Sequence, residues 1–371
     1  MAAMNAPELP PELMDTILDH VGADRPTLVA CNSVSTTFHA AARRKLFQAI
    51  TIDTSMHREA RNEKLLQVLL SNPQIVELIQ HLSLITSSQM TRSAIDALHM
   101  LKGVPRALTI AHPSYALQWR KLDGDVRTAI MTLMQSVEHF TLNGVTDFPL
   151  ELLRCCPRLR ILEVLQSYPL GDQEDIMESA LISRITGSPK GFAIQLESLR
   201  VPHPGPCRQF IVHALNNPKS VLSLSLLRSF ESTIDDRDSI AHSQRVLDTA
   251  AGSLQHLETH VLPGFDTSAH LDLTKLAQLT HLRFFVFGGL RSPSLKWACD
   301  VLASLPFANS LEEVHLLVAG SFATVGNEAT WQAVDRVLGD RGKHGRLRKG
   351  VHRHSRLLGQ DLGQISEGEH G

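Results

Sequence analysis

Leu159-Arg160-Ile161-Leu162-Glu163-Val164 and Leu196-Glu197-Ser198-Leu199-Arg200-Val201 share one pattern: apolar side chains at i, i+3 and i+5, with a charged residue at i+4. The last three positions alternate as a half-buried strand requires. The template returns at Ile79-Leu82-Leu84, Val137-Phe140-Leu142, Val221-Leu224-Leu226, Leu279-Leu282-Phe284 and Leu311-Val314-Leu316. A weaker copy stands at Leu254-Leu257-Thr259 and a degenerate one at Pro105-Leu108-Ile110. Nine starts between residues 79 and 311 give a mean period of 29 residues, with single spacings of 22 to 37. A recurrence of this length is the mark of stacked structural repeats, at the upper end of the leucine-rich range.

Helical segments separate the strands, and several end alike, at Leu69-Leu70-Ser71-Asn72-Pro73, Leu153-Arg154-Cys155-Cys156-Pro157 and Ala214-Leu215-Asn216-Asn217-Pro218. A proline just past a helix end stops the helix and turns the chain toward the next strand. Each unit then buries positions i, i+3 and i+5 against its neighbours and leaves i+2, i+4 and i+6 on the open face of the sheet. The i+4 row reads Ser83, Thr109, Thr141, Glu163, Arg200, Ser225, Glu258, Arg283 and His315. The i+2 row carries His81, His139, His256 and His281, and the i+6 row Asn143, His260 and Phe285. From these rows Glu163, Arg200, Glu258, Arg283, Phe285 and His315 are the candidate ligand-binding residues. The four i+2 histidines are read as amphipathic rings tolerated beside each leading Leu rather than as a ligand-binding ladder.

The first fifty residues differ in kind. Leu9-Pro10-Pro11-Glu12-Leu13 sets prolines at a helix start, where a missing N–H costs nothing, and Leu13, Ile17, Leu18 and Val21 follow at helical spacing. Gly22 ends this helix, and Asp24 and Pro26 open a second that carries Leu28, Cys31, Val34, Ser35 and Phe38. A third runs from Ala41 to Phe47, and Ile50-Thr51-Ile52 has strand character. Three helices in about 40 residues cannot hide this many large apolar side chains among themselves, so the surplus calls for a second protein.

These residues resemble the F-box motif: Leu9-Pro10-x-Glu12-Leu13-x3-Ile17-Leu18, then Leu28-x2-Cys31-x2-Val34-Ser35-x2-Phe38, then Arg44-x-Leu46-Phe47. Phe38 stands where the family often has Trp, and Gly22-Ala23-Asp24-Arg25-Pro26 replaces its commoner link between the first two helices. The resemblance implies that Leu9, Pro10, Leu13, Ile17, Leu18, Leu28, Val34 and Phe38 face the Skp adaptor of a cullin–RING ubiquitin ligase or support that face. It implies further that the rest of the chain holds a protein substrate. The repeats look like the curved, ribonuclease-inhibitor-like leucine-rich repeats that often follow F-boxes, with parallel strands on the concave face and helices on the convex face.

The expected organisation is therefore α/β: a disordered residue 1–7 start, an F-box over 8–50, an irregular leucine-rich-repeat solenoid over 51–340 and a tail over 341–371. Asn327 to Leu338, with Trp331, Val334, Val337 and Leu338 at helical spacing, reads as the last helix, and no apolar strand follows it. Arg341 to Arg356 holds seven Lys and Arg and three His with no acid, which predicts a basic, disordered, solvated tail. Ser229 to Asp238, with Glu231, Asp235, Asp236 and Asp238, reads as an acidic loop between repeats.

Composition narrows the function. The 36 basic and 38 acidic side chains nearly cancel, which disfavours a global pull toward nucleic acid or anionic membrane. Five cysteines without a C-x-x-C pair, and no N-x-[ST] acceptor, suit a reduced cytoplasmic or nuclear setting. No signal-peptide pattern and no apolar run of about 18 residues is present. His256-Leu257-Glu258-Thr259-His260 superficially has the look of a zinc-protease helix, but in a strand residues four apart lie about 13 Å from each other and cannot share one metal. Phosphate-binding glycine loops and a G-x-S-x-G elbow are absent, so no catalytic residue, metal or cofactor is expected. The rival reading is a leucine-rich-repeat interaction scaffold that does not assemble a ubiquitin ligase.

Overall fold

The computed structural model describes residues 9–22, 24–86, 90–112, 117–166, 193–202, 215, 220–262, 268–287, 294–306, 309–319, 328–339, 347 and 349–355. Three helices come first: α1 (Pro11–Val21), α2 (Arg25–Cys31) and α3 (Thr36–Gln48). Pro11 opens α1 at a position whose N–H has no helical partner to lose. Gly22 closes it at φ 63°, a left-handed backbone that L side chains rarely adopt, and its N–H reaches the carbonyls of Leu18 and Asp19. Helix α2 stops at Cys31, earlier than the apolar spacing predicts, because Ser35 caps a new helix by accepting from Phe38 N at 3.2 Å. Val34, Ser35 and Phe38 therefore lie in the α2–α3 link and the start of α3.

Helix α3 runs straight into β1 (Ala49–Asp53), the first strand of an eleven-stranded sheet. The others in this sheet are β2 (His81–Ile85), β3 (Ala107–Ala111), β5 (His139–Asn143), β7 (Ile161–Leu165), β9 (Ser198–Val201), β11 (Ser229–Ile234), β12 (His256–Val261), β13 (His281–Phe287), β14 (Glu313–Ala319) and β15 (Lys349–Ser355). Every pairing is parallel, and the strands lie in chain order. Short side pairs join β4 (Leu117–Gln118) to β6 (Val145–Thr146) and β8 (Ile194–Gln195) to β10 (Leu222–Ser223).

Parallel neighbours need a crossover, and helices supply most of them: α4 (Glu59–Ser71), α5 (Arg92–Met100), α6 (Gly124–Leu133), α7 (Arg237–Thr249), α8 (Ser294–Ala303) and α9 (Glu328–Gly339). Their caps are local in sequence. Thr91 accepts from Ala94 N, Asp123 from Asp125 N, and Asp236 and Ser239 form a reciprocal capping box at α7. Outside the copy at Val221, the apolar residues of the template turn to the helix side: Leu82 with Leu84, Phe140 with Leu142 and Leu162 with Val164 are each at most 1% exposed. They form one continuous core with α5, α6, α7 and α8.

Three expectations are corrected. Ser229–Asp238 is not a solvated loop: it supplies β11 and, through Asp236, the cap of α7. The repeat copy placed at Val221 starts instead at Leu227, with Leu227 and Phe230 buried and Leu226 left 53% exposed. The template failed there because Ser232 occupies i+5. Ser232 pairs in register with Thr259, the equally polar i+5 residue of the next strand, and both are buried, with Ser243 Oγ of α7 3.4 Å from Ser232 Oγ.

The third correction concerns the tail. Residues 349–355 form β15, paired with β14 from Glu313↔Lys349 to Ala319↔Ser355, where composition predicts disorder. Strand addition at a sheet edge draws on main-chain hydrogen bonds, so a Lys- and His-rich segment can supply it without apolar side chains. Among the described residues no helix is long and apolar enough to cross a membrane.

Candidate functional site

The first candidate is the outer surface of the leading helices. Leu18, Leu28, Ala41 and Ala42 make a small closed cluster, joined by the partly buried Val21, Cys31, Phe38 and Leu46. Leu18 and Leu28 are thus internal supports and cannot touch a partner directly. The remaining apolar residues stay outside: Leu9 is 44% exposed, Leu13 51%, Ile17 43% and Val34 68%, and Pro10 is exposed too. Val29 on α2 is likewise exposed, at 55%, and was missed, because the motif assigns no role to that position. Two ion pairs fasten α3 to α1: Arg44 to Asp15 at 3.6 Å, and Lys45 to Asp19.

The second candidate is the face of the sheet away from the helices. Strict in-register pairing turns the i+4 positions into one row across the sheet: Thr51, Ser83, Thr109, Thr141, Glu163, Arg200, Glu231, Glu258, Arg283 and His315 are successive register partners. Five of the six candidate ligand-binding residues, Glu163, Arg200, Glu258, Arg283 and His315, stand in this row. Glu231 takes the place expected for Ser225. It could have been found from Leu227, Phe230 and Ile234, which keep the apolar spacing around the polar Ser232.

The row is wired by charge. His139 Nε2 lies 3.6 Å from Glu163 Oε1, Thr141 Oγ1 donates to Glu163 Oε2 at 3.2 Å, and Arg200 approaches Glu163 at 3.9 Å. Arg200 Nε then meets Glu231 Oε2 at 2.6 Å. His260 Nε2 stands 3.1 Å from Glu258 Oε1 and 3.5 Å from Glu231 Oε1, and Arg283 donates to Glu258 Oε2 at 3.3 Å. Phe285 stacks on His260 with ring centroids 4.4 Å apart at 12°, and Arg283 lies over the same Phe285 ring at 5.8 Å. His315 Nε2 is 3.2 Å from Glu313 Oε2.

This arrangement shifts the ionisations. The Glu163 carboxyl sits below its ordinary range, held there chiefly by the His139 ring 3.6 Å away against the opposing effect of burial, with help from the charge of Arg200 and the Thr141 hydroxyl. Burial pushes Glu258 upward, but its hydrogen bond to His260 and the charge of Arg283 outweigh this and lower it. Burial likewise opposes a charged His260, yet the two carboxylates beside it, Glu231 and Glu258, raise it to about 9.

No family model and no curated protein matches the chain.

The histidines of the i+2 row do not form one ladder. Only His256 and His281 are neighbours, stacked at 4.4 Å and 20°; Ala107 stands between His81 and His139, and Ile161, Ser198 and Ser229 between His139 and His256. Cys155 and Cys156 are fully buried, and burial pushes the Cys155 thiol up to about 12, far from a thiolate at neutral pH. Cys207 lies outside the described residues.

Proposed function

We propose that the chain is a non-catalytic substrate receptor of an SCF-type ubiquitin ligase, with α1–α3 as an F-box docked on the Skp adaptor and the sheet domain as a leucine-rich-repeat-like holder of a protein substrate. The observation that carries this reading is the division of labour in the first helices. Leu18 and Leu28 close a core, while Leu9, Leu13, Ile17 and Val34 face outward. Apolar side chains of this size at the outer face of a short helical unit mark a surface meant to be covered.

Full withdrawal of one such side chain from water contributes about 1.5–3 kcal/mol, and roughly half of each is still exposed, leaving about 1 kcal/mol apiece. The patch is then the centre of a larger interface whose polar rim and partner surface add the rest. Two features support the second half of the reading: the chain-ordered parallel sheet with a recurring apolar template, and an open face rich in charged and aromatic groups. The mechanism is tethering: a substrate on that face is held near the ubiquitin-transferring partner, which replaces a bimolecular encounter by an intramolecular one.

The test is capture of the adaptor by the full-length protein, compared with a Leu13→Asp, Val34→Asp double variant. Both positions are exposed, so the variant keeps the core of the helices. Recovery of adaptor and cullin with the unaltered protein and their loss with the variant is the expected result. Equal recovery, or none with either, favours the scaffold that does not assemble a ligase.

A further inference from the structure

We propose that Glu231, Glu258 and His260 form a binding site for a divalent first-row transition ion, of which Zn2+ is the representative, on the open face between β11 and β12. The proposal does not depend on the receptor reading and uses none of the adaptor surface, although Glu258 also stands in the candidate ligand-binding row.

The site is assembled across strands, so no linear motif announces it. Glu231 and Glu258 are register partners on adjacent parallel strands, and His260, two residues beyond Glu258, projects from the same face. One donor atom from each residue lies within 4.8 Å of the others. His260 Nε2 is 3.1 Å from Glu258 Oε1 and 3.5 Å from Glu231 Oε1. Four ligands placed tetrahedrally about 2.0–2.1 Å from one ion stand roughly 3.3–3.4 Å from each other, so these two separations bracket the required value.

A proton alone leaves the site incompletely satisfied. Nε2 carries one hydrogen, and it makes its hydrogen bond with Glu258. Glu231 Oε1 is buried and makes no hydrogen bond of ordinary geometry; its contact with His260 Nε2, at 3.5 Å, is a long ion pair. A buried carboxylate oxygen held by a long ion pair without a hydrogen bond is costly, and an ion bonded to both oxygens and the ring nitrogen would satisfy all three at once.

The surroundings hold the ligands in place. Arg200 engages Oε2 of Glu231 and Arg283 engages Oε2 of Glu258, which leaves both Oε1 atoms directed at His260. Phe285 stacks on the imidazole and fixes its plane. Such outer contacts are what orient the ligands of metal centres. Binding exchanges one proton for one ion: His260 releases its Nε2 proton and donates the freed lone pair to the metal. One imidazole and two carboxylates suit Zn2+, Co2+, Mn2+ or Fe2+ better than soft Cu(I), with water as the fourth ligand.

The experiment is titration of chelator-treated, full-length protein with Zn2+ by calorimetry and with Co2+ by visible absorption. Nineteen histidines give a background, so the readout is the difference between the protein and its Glu231→Gln and His260→Ala variants. The unaltered chain is expected to bind one more equivalent than either variant, at an affinity at least ~10-fold above the background sites, with a Co2+ band of four- or five-coordinate type. Equal stoichiometry and affinity in all three proteins overturns the proposal and leaves the site to a proton only. Should a variant fail to fold, X-ray absorption at the zinc edge of the unaltered protein decides. A shell of oxygen with a single imidazole supports the site, and several imidazoles or any thiolate sulfur overturns it.

Discussion

Arg200 on β9 donates from Nε to Oε2 of Glu231 on β11 at 2.6 Å, and this contact links the left and right halves of the charged row. Glu231 is only 13% exposed, whereas Arg200 is 45% exposed, so the carboxylate depends on the pair more than the guanidinium does. Arg200→Met should cost about 1–2 kcal/mol, because it strands a largely buried charge while keeping most of the apolar stem. Glu231→Gln, which retains an acceptor for Arg200, should cost less than about 1 kcal/mol. Urea unfolding of the two variants checks the order; a larger loss for Glu231→Gln would contradict it.

Acid sensitivity follows from Glu163. Its folded carboxyl lies below the ordinary 4.5, so the unfolded chain takes up the proton first as pH falls. The stabilisation is complete above the unfolded value and disappears as pH drops through the depressed folded one. Urea midpoints between about pH 6 and pH 3 should therefore fall less steeply in Glu163→Gln than in the unaltered chain. Identical slopes would show that the His139 and Arg200 contacts carry no net linkage.

The two faces of α1 should separate stability from binding. Leu18 is fully buried, and Leu18→Ala should cost about 2–5 kcal/mol for the helical unit. Leu13 is half exposed, and Leu13→Ala should change stability by no more than about 0.5 kcal/mol. Thermal unfolding monitored by circular dichroism distinguishes them. On the proposed function, Leu13→Ala is nevertheless the one that weakens adaptor capture while leaving the fold intact.

The α7 cap offers a local control. Asp236 accepts from Ser239 N at 2.7 Å, while Ser239 Oγ accepts from Asp236 N at 3.1 Å. Asp236→Ala removes half of this exchange and should destabilise by about 0.5–2 kcal/mol, with hydrogen exchange rising first in the opening turn of α7.

Much of this fold is legible from one rule applied nine times. The i, i+3, i+5 spacing places the strands because a parallel sheet with one buried face must repeat its apolar positions in register, and the row of Glu163, Arg200, Glu258, Arg283 and His315 follows from the same rule. It fails where burial is satisfied by polar groups: Ser232 hides beside Thr259 and within reach of Ser243, so β11 reads as a loop and Glu231 is lost with it. It fails again at β15, where main-chain pairing suffices. The contacts of His260 with Glu231 lie beyond any pattern search, because their partners are brought together by strand pairing and sit 29 residues apart in the chain.

The passage from α3 to β1 has no spacer. Gln48 and Ala49 are consecutive, and Gln80, just before β2, returns its N–H to the carbonyl of Gln48 at 2.9 Å while their side-chain amides meet at 3.1 Å. A grip on the first helix would then aim the whole sheet, as a handle fixed to a blade does, so the bearing of anything lying on the charged row would be set by the joint at Gln48 and not by slack in a tether.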